Sequence, residues 1–318
     1  MRVLVCHRPG GAFGFISDGW INALRDKGHI VERWNGQESS WFMFEPDLAI
    51  GCSGHKQPIP SKNKRGKCKI AIHVNPLGPI NIEGIMESSD SIKWVLQQEP
   101  DAVFGYGFEA DRVYWNGWKT KYNIIWVPMA TGADRTLFRS VKDGVREFDI
   151  VYLGGRWAYK GKTIDKYLLP ALRAVKSYKL HGWGDWPPGV CSGPLPDDDT
   201  SATAFLNTGR VAPCISEAHT LSYGIDIPER VFKVALCGAL IVHDPVPRMN
   251  DIIPAAVVAK DPDEFTAMCV KYSQDERARL DLVQRQREQV LANHTYHHRV
   301  SRLLWDLGFT NESMGMLL

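Results

Sequence analysis

The chain has 318 residues, of which 44% are hydrophobic and 23% charged. These are the proportions of a soluble globular protein with room for two domains. A formal net charge of +2 argues against a polyanion binder by composition, so any nucleic-acid contact has to rest on a local patch. The seven cysteines, Cys6, Cys52, Cys68, Cys191, Cys214, Cys237 and Cys269, are odd in number, irregularly spaced and without a C-x-x-C. A disulfide framework or zinc knuckle is not expected, and most of them read as small buried apolar residues. No apolar run approaches the ~20 residues needed to span a bilayer. The opening MRVLVCHRPGG is too short for a signal-peptide core and reads as a first strand. A cytoplasmic location is expected, in an infected host if the protein is viral.

In chain order, RVLVC (2–6) is followed by a glycine-rich loop and then by SDGWINALRDKGH. There Trp20, Ile21 and Leu24 have helical spacing, Ser17 or Asp18 can cap, and Gly28 can end the helix. HIVERW (29–34), DLAIGC (47–52), CKIAIHV (68–74), DAVFGYG (101–107) and IIWVPM (124–129) read as strands. Nearly continuous apolar strands separated by long crossovers predict a parallel sheet covered on both faces. The pattern then restarts with FDIVYLGG (148–155), the helical KTIDKYLLPALRAV, YKLHGWG (178–184), the helical TSATAFLNTG, VAPCIS (211–216), ALIVHD (239–244) and AAVVAKD (255–261). A long polar helical region closes the chain. Two successive Rossmann-like doubly wound units are the simplest α/β architecture. The expected division is 1–140 and 141–318, the second including the closing helix.

Between these strands lies IPERVFKVALCG (227–238). Pro228 suits a first helical turn, Asp226 can cap and Gly238 suits the end. Glu229, Arg230 and Lys233 then fall at the start of a short helix. A helix N-terminus favours phosphate, Arg230 adds a bidentate fork, and Lys233 adds a point charge on the same face. Glu229 would be repelled by a diphosphate but would suit the vicinal hydroxyls of a ribose. Spacing alone fits equally an exposed i,i+4 ion pair, Glu229 with Lys233, beside a solvated Arg230.

This stretch resembles the donor-binding segment of GT-B glycosyltransferases. In the spore-maturation CgeB-like family it reads approximately Arg-Val-Phe-Glu-Ala, small residues, Gly, then a strand. Phage DNA glucosyltransferases have a related Arg-Val-Trp-Glu, and fucosyltransferases of this fold have Glu-Lys where Glu229-Arg230 stands here. FDIVYLGGRWAYKGK and YKLHGWGDWP are similar to the first two strands of the family's donor domain, and HTYHHR (294–299) to its closing helix. The resemblance covers about 148–304 and implies a GT-B fold: two Rossmann-like domains flanking a crevice, with a C-terminal helix crossing back. It implies a metal-independent transferase that takes a sugar from a nucleoside diphosphate, expected to be UDP, with the N-terminal domain holding the acceptor. The family's glutamate after Arg-Val-Phe is Lys233 here, so either Glu229 takes over the ribose or the donor differs.

Further candidates sit after strands. Arg156, Lys160 and Lys162 follow the first donor-domain strand, where cations could clamp the diphosphate leaving group. Glu217 and His219 follow VAPCIS and could reach the transferred sugar. An inverting mechanism needs a base. The phage glucosyltransferases keep an aspartate near the position of Asn75, which cannot take a proton. Asp18, His73 and His7 are the candidates in its place; a retaining mechanism needs none. Asp-x-Asp in PDDDT (196–200) reads as helix capping, and His294, His297 and His298, although at i, i+3, i+4, as packing; no metal is expected.

For the acceptor, Lys56, Lys62, Lys64, Arg65, Lys67 and Lys69 crowd residues 55–69. Residues 111–122 interleave Arg112, Lys119 and Lys121 with Tyr114, Trp115, Trp118 and Tyr122. Basic and aromatic loops suit a nucleic-acid backbone with an extruded base, or a sugar polymer. The resemblance favours a hydroxymethylated pyrimidine in phage DNA. A surface or spore polysaccharide and a catalytically silent nucleotide-sugar-binding module are the alternatives. The sequence leaves the oligomeric state open.

Overall fold

The structure, a computed structural model, describes residues 1–7, 11–34, 36–74, 88–108, 116–141, 144–196 and 200–309. The chain forms two compact units, residues 1–134 with 296–318, and residues 135–295. The first contains β1 (Arg2–Cys6), α1 (Gly11–Asp26), β2 (Ile30–Arg33), α2 (Glu38–Phe44), β3 (Leu48–Cys52), β4 (Lys69–His73), α3 (Ser89–Gln97), β5 (Ala102–Gly105), α4 (Gly117–Tyr122) and β6 (Ile125–Pro128). The second opens with β7 (Phe148–Leu153) and α5 (Ala158–Thr163), which runs through a π turn (Ile164–Leu168) into α6 (Leu169–Ala174). It continues with β8 (Tyr178–His181), α7 (Ser201–Asn207), β9 (Gly209–Cys214), α8 (Ala218–Tyr223), α9 (Glu229–Cys237), β10 (Leu240–His243), α10 (Met249–Ile252), β11 (Val257–Val258), α11 (Pro262–Gln274) and α12 (Glu276–Asn293). Last comes α13 (Tyr296–Asp306), which returns to the first unit.

The first sheet is wholly parallel, in the order β2-β1-β3-β4-β5-β6. Its central strands are buried almost end to end, which is what their unbroken apolar runs dictate. α1 lays Trp20, Ile21 and Leu24 on this sheet together with Tyr296, Val300, Leu303 and Leu304 of α13. The fit is close: a Cβ at Gly19 would stand 2.1 Å from the Tyr296 ring. The expectation that the closing helix belongs with the second domain is therefore corrected. Its apolar face is part of the first core, and the boundary lies at 134/135, not at 140/141. Arg299 fastens the helix further, donating from Nε and Nη2 to the Thr131 carbonyl at 3.1 Å each.

The second sheet is also parallel, in the order β11-β10-β9-β7-β8. Ile150, Tyr152, Leu180, Val211, Leu240 and Val242 meet Phe265 and Cys269 of α11 in its core. α11 is capped by Asp261, whose side chain accepts from the Glu264 amide at 2.8 Å. The polar helix α12 is fastened to the sheet through the buried Gln286. Gln286 accepts from the Ile241 amide at 3.0 Å and donates to the Ala255 carbonyl at 2.9 Å, so backbone groups beside the last two strands are satisfied. Among the described residues no helix is long and apolar enough to cross a membrane. The two α/β sheets bear out the expected fold class; every strand expected from sequence is present, most of them a residue or two shorter at the ends.

Candidate active site

In a doubly wound sheet the first strand's two neighbours connect in opposite directions. The crevice this leaves, at the carboxyl ends of the strands, is where ligands bind. In the second unit that point lies between β7 and β9. Arg230, on the first turn of α9, reaches it. Its guanidinium lies 4.6 Å from the centroid of the Tyr152 ring at the end of β7, and Nη1 donates to the Tyr152 hydroxyl at 3.2 Å. A glycine follows the strand: a Cβ on Gly154 would be 2.4 Å from Arg230 Nη2 and would push the guanidinium out of this position. The half-buried guanidinium is thereby fixed in direction, with stacking and one hydrogen bond using only part of its five-donor fork.

Next to it lies a buried ion pair. Lys160 of α5, 3% exposed, donates to Glu217 Oε1 at 3.1 Å. Burial works against the Glu217 charge. Attraction and the hydrogen bond from Lys160, with further attraction from Arg230, outweigh it and hold the carboxyl below its usual range. Behind this pair His219 Nε2 meets Asp226 Oδ2 at 2.7 Å, and His219 Nδ1 is buried without a hydrogen-bond partner. Burial pushes Asp226 up despite His219. Ser216 at the end of β9 is fixed by Asp244 at the end of β10, which accepts from its amide at 2.7 Å and its hydroxyl at 3.0 Å.

The opening charges divide. Glu229 and Lys233 form an i,i+4 ion pair, as spacing alone allowed, but a buried one, with both residues 8% exposed. Lys233 Nζ stands 4.9 Å from the Phe138 ring centroid, and burial lowers its pKa although Glu229 opposes the shift. The helix cap is Pro228, not Asp226, which adopts a left-handed conformation at φ 58° and turns its carboxylate to His219. Arg156 is occupied: it holds Asp165 with Nε and Nη2 and the Asp185 carbonyl at 2.5 Å with Nη1. Lys162 is exposed. Of the three basic residues in this loop, only Lys160 joins the group around Arg230. Tyr152 and Gly154 were missed in the sequence; the signal was there in the YLGG that closes β7.

In the first unit, His7 follows β1 and His73 ends β4. Their rings stack with centroids 6.2 Å apart. Burial and the neighbouring histidines lower both, His73 to about 4, so both are neutral imidazoles at pH 7. Asp18 on α1 pairs with Arg33, which also donates to Ser17 Oγ at 2.7 Å and the His7 carbonyl at 3.0 Å. The Asp18 side chain is 29% exposed, whereas His7 and His73 are buried. Asn75 and the Asp-x-Asp at 197–199 lie outside the described residues, as do Arg112, Tyr114 and Trp115.

The expected acceptor loops are only partly free. Arg65 is 6% exposed and donates to the Gln98 and Glu99 carbonyls at 2.7 and 2.6 Å, closing the end of α3. Lys64 pairs with Glu38 at 3.1 Å, and Lys69 donates to the Leu307 carbonyl. Lys56, Lys62 and Lys67 are exposed. Trp118 is fully buried, its indole donating to the Tyr106 hydroxyl at 3.4 Å, so it is a core residue and not a stacking platform. His294 Nε2 donates to the Ile252 carbonyl at 2.9 Å, and His297 Nε2 lies 2.9 Å from Asp26, so these two histidines point to different partners.

Two parallel α/β sheets, each with polar residues gathered at carboxyl strand ends, are the architecture of the GT-B glycosyltransferases. The chain belongs to the glycosyl transferase-like family, which matches residues 137–305, just over half its length. No curated protein matches the sequence. Among solved structures, a T4 phage BGT mutant in complex with UDP-glucose is similar over 99% of this chain and 100% of that one, at 12% identity and a TM-score of 0.64. T4 phage BGT in complex with UDP and Mn2+ gives 99%, 100%, 11% and 0.63 in the same order. Sucrose-phosphate synthase from Thermosynechococcus elongatus gives 96%, 98%, 12% and 0.61. At these identities the likeness establishes the fold.

The buried pair provides a test of this arrangement. Lys160→Met should leave the Glu217 carboxylate buried without its main partner and cost about 3 kcal/mol. Lys160→Met with Glu217→Gln should cost clearly less than the sum of the two single changes, measured by urea denaturation in a double-mutant cycle. Strict additivity would mean that the two side chains do not act as a pair.

Proposed function

We propose that the chain transfers a sugar from a UDP-linked donor to an acceptor hydroxyl, with the donor diphosphate on Arg230. The observation that carries this is the position of Arg230 at the switch point of the second sheet, oriented by Tyr152 and admitted by Gly154. A guanidinium held in place stabilises a leaving diphosphate more as its charge grows, which accelerates the chemical step and not only binding. Lys160 adds positive charge beside it, and Glu217 keeps that lysine in place. Glu229, held by Lys233, is assigned to the ribose hydroxyls. The UDP complexes of the T4 phage enzyme, which has the same fold, support the choice of nucleotide.

Asp18 is assigned the acceptor proton, because it is the one of the three base candidates that is partly exposed. The acceptor hydroxyl becomes acidic as its bond to the sugar carbon forms, so a carboxylate suffices as base at that stage. The assigned acceptor is a hydroxymethylated pyrimidine in DNA, with Lys56, Lys62 and Lys67 on the phosphate backbone. The CgeB-like resemblance of HTYHHR and RVFK supports the second reading, a surface or spore polysaccharide.

Arg230→Ala should lower kcat/KM by roughly a hundredfold, with kcat falling along with donor affinity. Asp18→Asn should lower kcat and leave the donor KM unchanged. UDP binding by calorimetry should persist in EDTA, since side chains supply the positive charge. A strict requirement for Mn2+ would overturn that assignment, and absence of any UDP-sugar hydrolysis would leave a silent binding module.

The acceptor is tested separately. Lys56, Lys62 and Lys67 changed together to Ala should weaken DNA binding and lower the slope of log K against log salt by about three charges. Donor hydrolysis should be unaffected. DNA affinity unchanged in this variant would favour the polysaccharide.

A further inference from the structure

The first sheet has its own switch point, between β1 and β3, and the Proposed function gives it no ligand. Three residues meet there. The register pairs Cys6 with Gly51 and Cys52 with His73, so His7, Cys52 and His73 stand in one row across the carboxyl ends of three adjacent strands. Their side chains share a face of the sheet. One ring nitrogen of each histidine and the Cys52 Sγ lie within 4.8 Å of one another, and all three residues are buried. They form the only such group of three among the described residues.

The hydrogen bond at His7 has the pattern of a metal site's outer shell. His7 Nε2 lies 3.3 Å from the Gly51 carbonyl, which can only accept, so the proton is on Nε2 and the Nδ1 lone pair is free. That Nδ1, in a residue 0% exposed, has no hydrogen-bond partner, and neither has Nδ1 of His73, 6% exposed. An imidazole that donates one N–H to a carbonyl and offers its other nitrogen to nothing in the protein is what a metal-ligating histidine looks like. Two unsatisfied buried ring nitrogens beside a thiol would otherwise be a standing cost.

We propose that His7, Cys52 and His73 bind a borderline transition-metal cation, zinc before others, as a site separate from the donor diphosphate. Two imidazoles and a thiolate are a zinc donor set, too soft for magnesium or calcium. Ligand atoms around tetrahedral zinc are roughly 3.3–3.8 Å apart given its bond lengths, so side-chain adjustments of about an ångström close the site. Binding replaces the thiol S–H bond by S–Zn and releases that proton to solvent. The fourth place is open to water or to His55, whose ring centroid lies 6.1 Å from that of His7.

The test uses the full chain without nucleotide. Metal-stripped protein titrated with Zn2+ should take up one equivalent, by elemental analysis after gel filtration. Co2+ in its place should give a thiolate-to-cobalt charge-transfer band that Zn2+ abolishes. Cys52→Ser should remove the band, and Cys52→Ser and His73→Gln should each weaken Zn2+ binding at least about a hundredfold, with circular dichroism confirming the fold. The cobalt band of the unaltered protein is read independently of how well the variants fold. No stoichiometric Zn2+ uptake, no thiolate band, or a band that survives Cys52→Ser would overturn the proposal.

Discussion

The proposed donor site of this protein depends on one close approach. Arg230 faces the end of β7 across Gly154, where a Cβ would displace the guanidinium from its present position, and it is held there by the Tyr152 ring and hydroxyl. The guanidinium loses hydration as it enters this corner. Stacking and one hydrogen bond replace part of it, and the remaining donors stay available to an anion. The neighbouring charges follow from that placement. A second cation beside Arg230 has to be balanced, and Lys160 is, by Glu217. The carboxylate in turn stays ionised because two cations act on it.

Partners already made, rather than charge count, set some of the expected residues apart as structural. Arg156 is a full cation in the expected loop, yet Asp165 and the Asp185 carbonyl occupy it, and it serves to tie the segment after β7 to the segment after β8. Glu229 and Lys233 are buried against each other, so removing either leaves the other as an uncompensated buried charge. A truncation at one of these two positions tests folding as well as binding, whereas Arg230 keeps its functional test clean. The same logic applies to the basic loop of the first unit, where Arg65 is a cap for α3 and, of the four exposed lysines, Lys64 is paired with Glu38.

Both sheets gather their chemistry at the carboxyl ends of parallel strands, where the amide and carbonyl groups of the next loop are not used by the ladder. In the second unit the result is a cationic corner; in the first it is a neutral row of two imidazoles and a thiol. The rows are set by register. A one-residue slip of β3 against β4 would turn Cys52 away from His73 to the opposite face.

Apolar runs and glycine positions determined the strands, their parallel pairing and the two-unit order, because a strand buried on both faces needs an unbroken hydrophobic segment whatever its surroundings. Sequence also placed Arg230 at a helix start near a strand end. It did not reveal that Pro228 rather than Asp226 caps α9, nor that Glu229 and Lys233 are turned inward, because spacing along a helix fixes which residues share a face but not what that face meets. Short helices such as α2, α4 and α8 carry too few turns for a periodic signal, and tertiary contacts form them. The return of α13 to the first core was equally out of reach: its apolar stripe fits any complementary groove, and the groove beside α1, with Gly19 making room for Tyr296, exists only once residues 277 positions apart in sequence are brought together. Cys52 between two histidines, read in sequence as one more small buried thiol, acquires its partners for the same reason, since three separate strands supply them.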